Sequence, residues 1–379
     1  NSNGSVVLTL VATKNFPCNA NAVDQMTLVI NKIPSITVIN PDVNLCVNSG
    51  PYTITGVVPV DYDTLSWTTT GTGTFSSTTT ATPIYSPSAA DYTLGTVKLK
   101  LTASRNPLNC NSSTFKEITL HFISKPTVDA GPLTAEICQG FSYVTNSATA
   151  SNYSNVTWST SGTGTFINAT TLLASYTPSA SDYNAGFVIL TLSANPIAPC
   201  SGPITDTIRL NLQKTPVITV PADTSICVNQ NTFSIGGVSI SPADAYDTNS
   251  IVWTTTGTGT FSPSGDALNP IYNPSTDDIA AGFVNLKITV NPIAPCVTSV
   301  SNTFKLSFQK LPVATAGANL TRCALPFQIT SATADLTTVN NLVWTTNGTG
   351  TFDYSNIIDP IYTPSAADIL SGSVILTLT

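Results

Sequence analysis

Charge is what this sequence has least of. Asp, Glu, Lys and Arg make up 9% of its 379 residues, against roughly 25% in an average soluble protein. A nucleic-acid partner needs a basic face. A net charge of −7 does not supply one, and it disfavours anionic lipid as well. Histidine is nearly absent: His121 is the one copy. Zinc sites of the Cys/His type are thereby excluded, and no Cys-x-x-Cys pair offers a Cys-only site. No apolar run approaches the ~20 residues of a membrane span, so no membrane insertion is expected in this segment. No signal peptide opens the chain, which fits either its removal or an internal slice of a longer protein. Catalysis needs a base beside a nucleophile, paired carboxylates or a metal, and none of these patterns recurs. The expectation is a non-enzyme without cofactor.

What is present is repetition. Trp67-Thr68-Thr69-Thr70-Gly71-Thr72-Gly73-Thr74-Phe75 returns as Trp158 to Phe166, Trp253 to Phe261 and Trp344 to Phe352. These are the four tryptophans of the chain, spaced 91, 95 and 91 residues apart. Each copy reads as a buried central strand, with Trp and the second Thr after it on one face. The glycines read as a bend or bulge that returns Phe75, Phe166, Phe261 and Phe352 to the core. Gly-Thr-Gly-Thr has the composition of a phosphate loop, but it opens no helix, so the anion geometry is missing.

Lys followed closely by Pro (Lys32, Lys125, Lys214, Lys310) sets the repeat boundaries. Residues 1–33 form the last two strands of a preceding repeat, and full repeats occupy 34–125, 126–215 and 216–311. Residues 312–379 form a repeat lacking its last strand. Ser5–Leu10 matches Thr96–Leu101, so the chain opens and closes on the same strand of the repeat. A window on a longer array is the expectation; completion of the ends by neighbouring subunits is the alternative. Within 34–125, strands are expected at Ile36–Ile39, Tyr52–Val57, Leu65–Thr70, Thr72–Phe75, Pro83–Tyr85, Val97–Ala103 and Phe115–Ile123. Seven short strands with a core Trp on the third make an all-β, immunoglobulin-like sandwich. Short Pro linkers make the tandem array an extended rod.

The segment from Pro87 to Gly95 recurs in every repeat. Ser-x-x-Asp is a capping box for one helical turn, at Ser88 and Asp91, Ser179 and Asp182, Ser275 and Asp278, and Ser365 and Asp368. A following Gly closes the turn. One carboxylate per loop is too few for calcium; the doubled Asp277-Asp278 is the weak metal candidate. Asn111, Asn155, Asn168 and Asn347 open N-x-[ST] sequons.

Cysteines fall two per period. The first of a repeat follows the first strand, at the far end. The second precedes the last strand, at the near end. A strand of eight residues separates these ends by roughly 25 Å, while a disulfide needs Cα atoms within about 7 Å. Stacked repeats would instead join Cys46 to Cys200 and Cys138 to Cys296. The rival pairing, inside each repeat, is Cys46–Cys110, Cys138–Cys200 and Cys227–Cys296. Either implies an oxidising, extracellular setting.

The recurring run WTTTGTGTF, PIYxPSAAD, NPxxPC and KPxxxAG resembles the Ig/PKD-like repeats of giant Bacteroidota surface adhesins, the gliding-motility type exported by type IX secretion. The resemblance covers the whole chain. It implies an extracellular, cell-surface filament or stalk whose partners are further repeats of the same polypeptide. Asp63-Thr64-Leu65 and Asp206-Thr207-Ile208 match the O-glycosylation motif of these bacteria, at Thr64 and Thr207. The function expected is a structural segment of a surface fibre, projecting a tip or bearing load. The alternatives are a polysaccharide-binding array, with Tyr62, Tyr153 and Tyr246 as its exposed aromatics, an accessory array of a secreted enzyme, and a subunit that packs with neighbouring fibre chains.

Overall fold

The computed structural model describes residues 4–106, 112–335 and 341–379. Contacts divide the chain into two compact units: Asn1–Glu136 with Phe141–Leu212, and Ile137–Gly140 with Gln213–Thr379.

In the first unit, β1 (Ser5–Ala12) and β2 (Ala22–Val29) form an antiparallel hairpin. The first complete sandwich contains β3 (Ser35–Val38), β4 (Asp42–Cys46), β5 (Tyr52–Thr53), β6 (Val57–Val60) and β7 (Thr64–Thr69), which carries Trp67. It continues with β8 (Thr74–Phe75), β9 (Ile84–Ser86), the helical turn α1 (Ala89–Leu94), β10 (Thr96–Arg105) and β11 (Ser112–Ile123). One sheet runs β4-β11-β10-β7; facing it are β5-β9-β8 and the pair β3-β6.

Alternation builds the core. On β10, Val97, Leu99, Leu101 and Ala103 are fully buried while Lys98 and Lys100 point out. On β11, Ile118, Leu120 and Phe122 face the same interior. Burying each large apolar chain stabilises the fold by roughly 1.5–3 kcal/mol. Trp67 packs on Phe75, and Phe75 on Tyr85, with ring centroids 5.7 and 5.0 Å apart.

Two strands differ from expectation. The stretch Tyr52–Val57 is divided, because Gly56 takes a left-handed turn (φ 72°) between β5 and β6. β4 is an additional strand, pairing in parallel with β11 so that Cys46 lies opposite Ile123. Each parallel partner comes from far along the chain, so local pattern signals it weakly.

The second sandwich repeats the plan, with strands from Thr127–Asp129 to Ile204–Gln213 and a four-stranded sheet in the same order. In the second unit, the third sandwich runs from Val217–Thr219 to Val300–Gln309 around Trp253. A fourth, around Trp344, includes strands Phe327–Gln328, Thr351–Phe352 and Ile361–Thr363 and ends at Leu376–Leu378.

Candidate functional site

The polar feature common to all four sandwiches is a buried carboxylate. Asp91, Asp182, Asp278 and Asp368 are buried at position N3 of each helical turn. Ser88, Ser179, Ser275 and Ser365 cap the turns, and all four capping boxes are complete. Gly95, Gly186, Gly282 and Gly372 close them in the left-handed conformation.

The aspartate also reaches across the sandwich. Thr72 N donates to Asp91 Oδ1 at 2.8 Å, and Gly73 N donates to Oδ2 at 3.0 Å. Tyr85 Oη donates to Oδ2 at 2.7 Å, and Ser88 N completes the set at 3.1 Å. Asp182 receives the same four donors from Thr163, Gly164, Tyr176 and Ser179. Asp278 receives them from Thr258, Gly259, Tyr272 and Ser275. Asp368 accepts from Thr349 N, Tyr362 Oη and Ser365 N. The Thr two residues after each Trp supports the assembly: Thr69 Oγ1 accepts from Gly71 N and lies 3.2 Å from Tyr85 Oη.

This explains the glycines. Gly71 and Gly73 do not have positive φ; they are needed for close approach. A Cβ on Gly73 would stand 2.5 Å from Tyr85 Oη and 2.6 Å from both Asp91 Oδ2 and Ser86 O. The Gly-Thr-Gly turn thus does cradle an anion, but the anion is the protein's own aspartate.

Burial alone would raise the Asp182 pKa, but the N–H groups of Ser179, Thr163 and Gly164 and the Tyr176 hydroxyl outweigh it and hold it down to about 2. Asp91 and Asp278 are lowered by the same balance. Asp368 is lowered chiefly by the backbone of Ser365 and Thr349. Burial and the adjacent carboxylates push Tyr85 and Tyr272 up to about 12. The aspartate stays ionised and the tyrosine protonated, with their hydrogen bonds turned on each other. Because the folded carboxylates have depressed pKa values, their stabilisation is fully present above the unfolded value near 4 and is lost as pH falls through the folded value. Thermal scans are expected to show a steady Tm from pH 7 to about 5, then a steep fall between about pH 4 and 2. A Tm that fell mainly above pH 5 would contradict the clamp.

Asp278 thus turns its carboxylate on four donors of its own sandwich, three at Oδ2 and one at Oδ1, and Asp277 is an exposed neighbour. Among the described residues no group of three His, Cys, Asp or Glu is placed to hold a metal.

The structure bonds Cys46 to Cys200 and Cys138 to Cys296, with Cα atoms 4.9 and 5.0 Å apart. Cys46 ends β4 beside Ile123, and Cys200 Sγ lies 3.3 Å from the Ile123 carbonyl. In the second unit Cys296 Sγ lies 3.8 Å from the Gln213 carbonyl. Cys138–Cys200 and Cys227–Cys296 within a repeat are excluded by these bonds, as is Cys46–Cys110; Cys110 itself lies outside the described residues. Cys18, Cys227 and Cys323 are free thiols.

Of the three tyrosines read as exposed, only Tyr62 is so. Tyr153 is half-buried in its strand. Tyr246 packs against the third core and bridges to Pro292, a contact too distant in sequence to read. Three outward phenylalanines are covered by cations: Phe115 by Lys100, Phe187 by Arg209 and Phe283 by Lys305. Thr64 and Thr207 are exposed. Asn155 and Asn168 are exposed; Asn111 lies outside the described residues. Asn347 Oδ1 accepts from Ile375 N, a structural use of that sequon.

No family model matches the chain, and no curated protein matches it. Solved structures do. Mouse cadherin-23 EC22-24 aligns at TM-score 0.40 and 15% identity, over 74% of this chain and 99% of that one. Human CDH23 EC21-23 aligns at 0.41 and 14%, over 73% and 100%. Protocadherin gamma B2 domains 1-5 align at 0.37 and 13%, over 99% and 82%. Likenesses this loose carry no argument about what the chain binds. The fold itself is all-β, in tandem sandwiches. No described helix is long and apolar enough to cross a membrane.

Proposed function

We propose that this chain is a structural, load-bearing segment of an extracellular cell-surface fibre. The observation that carries the reading is covalent: a disulfide ties a cysteine of one repeat to a cysteine of the next, twice. Such bonds belong to an oxidising compartment. They are placed where they resist separation of successive repeats rather than where they stiffen a site. The clamp supports the same reading. It uses a carboxylate, a tyrosine and two glycines per repeat to hold one turn in place. A sparsely charged surface rich in Ser, Thr and Asn suits a spacer. The finer assignment, to a type IX-exported adhesin of the gliding-motility kind, rests on the sequence resemblance alone and is part of the proposal.

The test is on intact source cells. An antibody against the chain should label unpermeabilised cells, and gold-labelled electron micrographs should place it along filaments leaving the surface. Labelling that requires permeabilisation would overturn the reading.

A further inference from the structure

The two disulfides are interleaved. In chain order their cysteines run Cys46, Cys138, Cys200, Cys296, with bonds joining the first to the third and the second to the fourth. Each bond closes a loop that contains one end of the other, with sequence separations of 154 and 158 residues.

Such a topology fixes how far the chain can be drawn out, whatever happens to its folded structure. Without the bonds, about 250 residues lie between Cys46 and Cys296, or roughly 85 nm when extended. With both bonds, the shortest covalent route runs from Cys46 across to Cys200, back along the chain to Cys138, and across to Cys296. That route contains about 60 residues, or roughly 20 nm. The second repeat is then the only protein segment in the taut path, and it carries tension from its C-terminal side to its N-terminal side. The longer stretches on either flank stay slack even when unfolded.

With one bond alone, the shortest route is a single stretch of about 90 to 95 residues, only ~11 nm longer than with both. We propose that the interleaved pair is a redundant tether. Either bridge alone withholds most of the hidden length, and only loss of both releases it. The service this gives a fibre rests on the load-bearing reading above; the lengths themselves do not. A surface strand under pull would keep its reach after one bridge was reduced. Cleavage of both, by a thiol reductant, would convert it to an extensible one. Cys46 and Cys138 sit at the same place in their sandwiches, at the end of the strand before the turn, and Cys200 and Cys296 are both buried. The tether is therefore a property of the repeat plan and not of one junction.

The experiment is single-molecule force spectroscopy on the 379-residue chain, held by its two termini and stretched until every sandwich has unfolded. Peptide mapping of the same material establishes which bonds are present. Prior reduction should lengthen the fully unfolded molecule by ~65 nm. Cys200→Ser or Cys296→Ser alone should lengthen it by only ~11 nm, and the double variant by ~65 nm. Because the fully unfolded length is read, a variant sandwich that folds poorly still reports. Single variants that each released ~50 nm, or two that added up to the double, would overturn the interleaved tether. So would a length unchanged by reduction. None of these outcomes touches the cellular location, which the antibody experiment reads separately.

Discussion

Asp182→Ala should unfold the second sandwich about 20 °C earlier than the native protein, while the other sandwiches keep their transitions. The substitution leaves four donors, the N–H groups of Thr163, Gly164 and Ser179 and the Tyr176 hydroxyl, without their acceptor. Each unsatisfied buried donor costs about 1–3 kcal/mol. Partial access to water in the vacated space reduces the sum, so the expected loss is about 4 kcal/mol. For a domain of this size each kcal/mol moves Tm by about 4–8 °C. Asp182→Asn should be milder, at about 2 kcal/mol. An amide can turn its oxygen to the Oδ2 position, where three donors converge, and set its NH2 against the N–H and hydroxyl of Thr163. Differential scanning calorimetry of both variants checks the order. An Asn variant as damaged as the Ala variant would show that the charge matters more than the count of acceptors. An Ala variant within 3 °C of native would sink the clamp.

Gly71→Ala should be nearly as costly, at about 3 kcal/mol, although it adds one methyl group. The new Cβ would sit against Asp91 Oδ1, inside van der Waals contact, and 3.0 Å from Val97 Cγ2. The carboxylate cannot retreat, because Ser88 N, Tyr85 Oη and Thr72 N hold it from three directions. The clash and the clamp are therefore the same interaction seen from two sides. Asp91→Ala removes the oxygen that Gly71→Ala strikes, so the double variant should lose less than the two singles combined, by 1 kcal/mol or more. Strict additivity in the cycle would mean that glycine is required there for some reason other than the aspartate. A control at Gly95, where φ is 72° and a Cβ would meet nothing within 4 Å, should show backbone strain of about 1 kcal/mol with no coupling to Asp91.

What was legible in the sequence was what is local or periodic. The capping boxes could be read because Ser and Asp stand three residues apart. The core strands could be read because Val97, Leu99 and Leu101 alternate with polar residues. The second role of Asp91 could not, since Thr72 and Gly73 lie almost twenty residues upstream and meet it only when the sheets face each other. The recurrence of Gly-Thr-Gly together with an invariant Tyr and Asp in all four periods was the available signal; it invited a bend, and the structure shows a docking surface. β4 was missed for a related reason. It is five residues long and pairs in parallel with β11, far downstream, although Val43 and Leu45 already alternate. The pairing of the cysteines was legible only in part: strand length argued against bonds within a repeat, but both pairings stayed open until the structure placed Cys46 beside Cys200 and Cys138 beside Cys296. Tyr246 was misread because its bridge partner Pro292 lies far downstream in the sequence.

The wiring of the disulfides also has a genetic consequence. The second repeat gives one cysteine forward, Cys138, and one backward, Cys200; the first gives Cys46 forward and the third gives Cys296 backward. Remove residues 126–215 whole, and Cys46 would meet Cys296 in the place Cys200 held. Duplicate them, and the added copy would bring one donor and one acceptor of its own. Gain or loss of whole periods would therefore shorten or lengthen the array by whole units without stranding a thiol at an internal junction, so that reach could drift among descendants while the covalent plan stayed intact.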